Sequence, residues 1–177
     1  MDKPIPSVED VPLILDTLLG QFQWARRYTL QLLDATPRDR WHEIPPGHVS
    51  HVAWQVGHLA VSHYGLWMFR IRGRQPDDVK LIPGRFRKRY GRGGTPPASE
   101  EDQMTPDELM DKLHEVSQQS LTEVMATDPE VWLEPVDMPY AVYPCKLGAI
   151  CFSPLHEQLH AGQIGGIRRG LGLEILR

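Results

Sequence analysis

The chain has 177 residues, 41 % hydrophobic and 24 % charged, which suffices to bury a core as one domain over residues 1–177 without disulfide staples. Net charge is −4 and the pI is near 6.0, so nothing in the overall charge draws the chain to nucleic acid. No run approaches the ~18 consecutive apolar residues of a membrane span, and the opening MDKPIPSVEDVP lacks the basic and apolar segments of a secretory signal, so a cytoplasmic protein is expected.

Four segments carry helical periodicity. The first spans about 8–34, with Leu13, Leu15, Leu18, Leu19, Phe22, Ala25, Leu30 and Leu33 as an apolar stripe, Ser7 or Asp10 as cap, and Pro12 confined to a first turn. The second spans about 50–71, with Val52, Val56, Leu59, Leu66, Met68 and Phe69 at helical spacing, and stops at Arg72-Gly73. A stretch rich in glycine and proline follows and reads as a long loop carrying the basic run Arg85-Phe86-Arg87-Lys88-Arg89-Tyr90. That run reads as a solvated loop or one touching an anionic substrate. The third helix opens on the capping box Thr105-Pro106-Asp107-Glu108 and ends near Thr127. The stretch 128–152 leaves room for a short hairpin, and the fourth helix opens Ser153-Pro154 and runs to about Gly170. Cys145 and Cys151 have no metal or redox spacing and read as free thiols. Trp24, Trp54, Tyr64 and Trp67 read as core, and Arg168 and Arg169 as cations at the negative end of the fourth helix.

Histidine is the unusual residue: there are eight, five of them between positions 42 and 63. His156 and His160 are four apart on the fourth helix, so both imidazoles share one face and can grip one ion. A third ligand comes most readily from the second helix. His51 and His58 share a stripe but stand ~10 Å apart along the axis, too far to bind the same ion. His58 lies mid-helix among Val56, Leu59 and Ala60, where a neutral ring needs a partner. His51 is near the helix start, suited to capping or solvent, and His63 is turned ~140° away from His58. His42, His48 and His114 read as loop or exposed-face residues.

The segments Trp54-Gln55-Val56-Gly57-His58-Leu59-Ala60 and His156-x-x-x-His160-Ala161-Gly162-Gln163-Ile164, followed by Arg168-Arg169-Gly170, resemble the DinB/YfiT-like superfamily of metal-binding four-helix bundles. The resemblance implies an all-α four-helix bundle of this type with long crossover loops, and His58, His156 and His160 as ligands of a divalent metal ion, with zinc or nickel most suited to three imidazoles. It also implies a small-molecule substrate, a low-molecular-weight thiol being one class. Neither nucleic acid nor membrane is an expected partner, and homodimer formation is an option. The family includes thiol-dependent S-transferases, and the chemistry expected here is hydrolase-like or S-transferase-like, with a metal- or ligand-binding bundle lacking turnover as the alternative.

His156-Glu157-x-x-His160 also matches the HExxH signature of zinc metalloproteases, in which the glutamate activates water. This makes Glu157 a candidate catalytic residue. The extended protease motif would place glycine at 163 and histidine at 166, where this chain has Gln163 and Gly166, and the sole carboxylate further on is Glu174. A protease is therefore the minor alternative.

Overall fold

The computed structural model describes residues 4–94, 96, 103–136 and 142–176, and within them the chain is all-α. A 3-10 turn at Val8–Asp10, where Ser7 N and Oγ both donate to the Asp10 carboxylate, leads into α1 (Val11–Asp34). Pro12 falls in the first turn, where its missing N–H costs nothing. Helix α1 buries Phe22, Ala25, Leu32 and Leu33, but Leu13 is 71 % and Trp24 62 % exposed, against expectation for both. At 100° per residue Leu13 and Trp24 share a face, and Trp24 points nearly opposite Phe22. The buried stripe is therefore narrower than the composition of the segment suggests.

Helix α2 (Val52–Tyr64) continues through a π-helical turn at Gly65–Phe69 and a last α turn at Arg70–Arg72, ending at Gly73 with φ 74°, a value that favours glycine. Helical turns at Asp78–Leu81 and α3 (Gly84–Tyr90) occupy part of the stretch expected to be loop. The basic run is thus an amphipathic helix: Phe86 and Tyr90, four apart, are buried, and the arginines and lysine between them face outward or sideways. Helix α4 (Pro106–Ala126) begins as expected, with Glu108 N–H donating to Thr105 Oγ1 and Thr105 N–H to the Glu108 carboxylate.

Helix α5 (Leu147–Gly170) begins before Ser153-Pro154 and carries Pro154 inside it. An interior proline costs about 3 kcal/mol. Leu147 and Ile150 are fully buried beside Trp67 and Trp132, and burying such side chains is worth about 1.5–3 kcal/mol each, so the early start prevails. Ser153 does not cap; its Oγ accepts the Trp67 indole N–H at 2.6 Å. Before α5 the described residues show one turn at Pro129–Trp132 and an isolated antiparallel bridge between Pro135 and Cys145; residues 137–141, within the stretch read as room for a hairpin, lie outside the described set. Both cysteines are buried and outside any disulfide, Cys151 within α5 and not in a loop.

Helix α1 packs chiefly on α5, and α2 packs on α3, α4 and α5. Arg168, in the last turn of α5, is buried and donates to Leu32 O, Thr36 Oγ1 and Glu174 O, tying the end of α5 to the end of α1. No helix among the described residues is long and apolar enough to cross a membrane.

Candidate metal centre

Helix α2 brings His58, and one turn of α5 brings His156 and His160, to a common point: one ring nitrogen from each lies within 4.8 Å of the other two. His156 Nε2 and His160 Nε2 are 3.2 Å apart. Two nitrogens at ~2.0–2.1 Å from one tetrahedral ion would stand about 3.3 Å apart, so the pair already has the spacing of a chelate. The His58 ring lies 4.7 Å from that of His160 and 5.4 Å from that of His156, centroid to centroid.

The other ring nitrogens determine which atoms face inward. His58 Nδ1 is 2.7 Å from Tyr90 O, and a carbonyl only accepts, so Nδ1 carries the proton and the Nε2 lone pair is left for the centre. His160 Nδ1 is 2.6 Å from Gln55 Oε1, while the Gln55 amide nitrogen donates to Ser50 Oγ at 3.0 Å; the oriented amide gives His160 the same tautomer. Carbonyl or amide support of this kind is characteristic of metal-ligating histidines. Gly57 makes the His58 contact possible. A Cβ at that position would meet the Tyr90 ring at 2.4–2.7 Å, so only glycine lets α3 lie close enough for the Tyr90 carbonyl to reach the imidazole. Trp54 stacks on His58 at 4.9 Å with 10° between planes and donates its indole N–H to Arg89 O, fastening α3 a second time. Trp54 is therefore part of the site.

Electrostatics keep the rings neutral. Burial pushes His160 down to about 3 and His156 down to about 4, with the neighbouring imidazoles adding to both shifts. Burial also lowers His58, against the raising effect of the Tyr90 carbonyl. The donor set is then neutral imidazoles with convergent lone pairs, which fits a divalent ion of the zinc, nickel or copper type.

Glu157 is elsewhere. It is 2 % exposed, and its two oxygens accept from Arg26 Nε at 2.8 Å and Arg26 Nη2 at 3.0 Å. Arg26 also donates to Ser117 Oγ at 3.0 Å and lies 3.3 Å from His63 Nδ1, and His63 Nε2 is 2.7 Å from Ser120 Oγ. The remaining histidines stay apart from the centre. His51 caps α2, its Nδ1 accepting the Trp54 N–H at 3.0 Å, and it is buried, not solvated. His42 Nε2 is 3.1 Å from Met104 O, and His114 is exposed.

Two cavities adjoin the cluster. One, of about 470 Å³, is lined by Ser50, Trp54, Gln55, His160, Gln163 and, unexpectedly, His48. The other, of about 530 Å³, is lined by His58, His156, Ser62, Arg70 and Arg92 with apolar neighbours. Residue-level reading missed Gln55 and Tyr90 as supports; the signal for Gln55 was its place one turn before His58 on the same helix.

A family model of the DinB superfamily matches residues 21–164, a span that includes the whole histidine cluster and its supports. The chain belongs to the DinB superfamily. No curated relative matches it.

Proposed function

We propose that this protein is a divalent-metal-dependent enzyme in which His58, His156 and His160 hold the ion, most suitably zinc or nickel, and an activated water or thiol attacks a small electrophile. The observation that carries the proposal is the pair of acceptors behind the rings: Tyr90 O and Gln55 Oε1 commit His58 and His160 to the tautomer that directs lone pairs at one point. Three neutral protein ligands leave coordination positions open, as in catalytic and unlike closed structural sites. When bound, the ion would supply Lewis acidity that lowers the pKa of a ligated water or thiol.

The chain's own residues do the remaining work. Ser62 Oγ, 3.2 Å from His58 Nε2 and in the wall of the larger cavity, is placed to orient a nucleophile by hydrogen bonding. Phe152 and His156 line the same cavity as Ser62. The Glu157 carboxylate, held by Arg26, is poorly placed to activate water, which argues against the metalloprotease reading. Two buried cysteines that form no disulfide suit a reducing cytoplasm.

The test uses untagged protein, so that no affinity column supplies nickel. Elemental analysis is expected to find about one divalent ion per chain, with each of His58→Ala, His156→Ala and His160→Ala losing roughly 100-fold in affinity, one ligand's share of the ~10–16 kcal/mol typical of structural zinc. Thiol consumption with small electrophiles, or hydrolysis of activated esters, should stop on chelation and return with metal. Turnover that persists without metal sinks the catalytic reading. Full metal with no turnover on either substrate class favours a binding bundle.

A further inference from the structure

Helix α3 is joined to the histidine cluster by its last carbonyls. An α-helix leaves its final C=O groups without partners inside the helix. At the end of α3, Arg87 O accepts the Gly91 N–H at 2.8 Å, Arg89 O accepts the Trp54 indole N–H at 3.2 Å, and Tyr90 O accepts from His58 Nδ1 at 2.7 Å. The two side-chain donors are four apart on α2 and their rings stack, so one face of α2 holds the end of α3. Phe86 and Tyr90 are the buried side chains of α3, and the helix packs chiefly on α2. A short helix held mainly by one neighbour is the kind of element that opens locally while the rest of a fold stays closed. The chain beyond it folds back onto its end: Gly94 N–H donates to Gly91 O at 2.9 Å, and a Cβ at position 94 would meet Arg89 O at 2.4 Å. Arg92 lines the cavity of about 530 Å³ and Gly94 the one of about 470 Å³, so the segment leaving α3 contributes to the wall of each.

We infer that α3 is a cover whose docking is coupled to occupancy of the histidine cluster, an inference that rests on the proposed metal centre. With Nε2 engaged by a cation, the His58 ring is more electron-poor and its Nδ1–H is a stronger donor to Tyr90 O. In the other direction, the Tyr90 carbonyl fixes the ring and makes it a better ligand. Loading the centre therefore closes α3, and unloading it loosens α3 together with residues 91–94. Linkage makes the two effects equal: the factor by which docking raises metal affinity is the factor by which metal favours docking. Losing the support behind a ligating imidazole costs about 10–100-fold in affinity, which sets the size of both.

Zinc is the probe. Full-length protein, zinc-loaded and chelated, is compared by amide hydrogen exchange, and zinc affinity is read by competition with a chromophoric chelator. In chelated protein the amides of residues 86–91 are expected to exchange faster than those of residues 110–124 in α4, because α3 opens alone. Zinc should slow the α3 amides by roughly 10–100-fold. Phe86 lines neither cavity beside the cluster, so Phe86→Ala weakens docking from outside the centre. Gly57→Ala crowds the Tyr90 ring from α2. Each should lower zinc affinity by about ten-fold or more with all three ligands intact. Trp54→Phe keeps an aromatic ring against His58, removes one bond to α3, and should weaken zinc a few-fold, so it serves if another variant fails to fold. Zinc that binds the wild type but leaves α3 exchange unchanged overturns the coupling while the metal centre stands, as does unchanged zinc affinity in the variants that fold. Equal exchange of α3 and α4 in chelated protein also overturns it, since α3 then opens only with the whole fold. Wild-type protein that takes up no zinc sinks the metal centre and the coupling together. Slower α3 exchange with zinc, matched by weaker zinc binding in the variants, supports the coupling.

Discussion

Two polar clusters share helices α2 and α5, and both contain histidine. Around Arg26, the Glu157 carboxylate accepts two guanidinium bonds and His63 is engaged by Arg26 and Ser120, so the polar groups satisfy one another inside the core. Around His58, His156 and His160, the protons of two rings are directed outward to Tyr90 O and Gln55 Oε1, and ring nitrogens face one another across 3.2 Å. Residues 156 and 157 are adjacent in sequence, and the ~100° between neighbours on a helix sends one to each cluster. The first is closed chemistry in which the polar groups satisfy one another, and the second is a set of ring nitrogens converging within 4.8 Å of one another, an arrangement suited to a cation. The glutamate of a metalloprotease-like signature belongs to the first.

That contrast can be broken most forcefully at the ion pair. Arg26→Met leaves Glu157 buried without its counter-charge and should cost about 3–5 kcal/mol of stability. Arg26→Met combined with Glu157→Leu should recover much of that loss, since a packed apolar pair can replace a buried salt bridge. Neither should change metal affinity more than a few-fold, and denaturant unfolding alongside metal titration reads both. Glu157→Gln that abolishes turnover at unchanged stability and metal content would return the glutamate to the reacting centre.

Acid acts on both clusters, since burial and Arg26 also hold His63 well below the ordinary histidine value, and the metal ion is what separates their responses. His156 and His160 titrate at about 4 and about 3 in the metal-free fold, below the ordinary histidine value of 6.5. Between those values the unfolded chain binds more protons than the folded one, so stability falls as pH drops from about 6.5 through 4 to 3. The stabilisation is fully present above 6.5. Urea midpoints of chelated protein should trace this decline, and His160→Gln should flatten it. Metal-loaded protein should hold its midpoint further into acid and then release the ion, because protons compete for the same nitrogens.

The smallest effect concerns Gln55. Gln55→Leu should lower metal affinity 10–100-fold, the usual cost of removing support behind a ligating imidazole. Stability should change by no more than about 1–2 kcal/mol, near the cost of one lost hydrogen bond. An unchanged metal affinity would show that the 2.6 Å contact to His160 orients nothing.

The start of α4 was legible in sequence because its signals are local. Thr105 and Glu108 cap by reaching three residues along the same chain, and an i,i+4 histidine pair shares a face on any α-helix. Helix α3 was hidden because seven residues flanked by glycine and proline carry too little periodicity, and Phe86 and Tyr90 become an apolar face only when α2 lies beside them. The early start of α5 was hidden for a related reason. Serine followed by proline is a good helix opening in isolation, and only the burial of Leu147 and Ile150 beside Trp67 and Trp132 overrides it.

By itself the sequence determined the helical class, the pairing of His156 with His160, and the isolation of His58 among apolar neighbours, because helix periodicity is local. Tertiary structure decided that His58 meets that pair, that Glu157 turns to Arg26, and that Gly57 admits Tyr90 to orient a ring. Those outcomes depend on which helix faces touch, and hydrogen-bond donors and acceptors as far apart in sequence as Gln55 and His160 acquire their roles only when packing brings them within 2.6 Å.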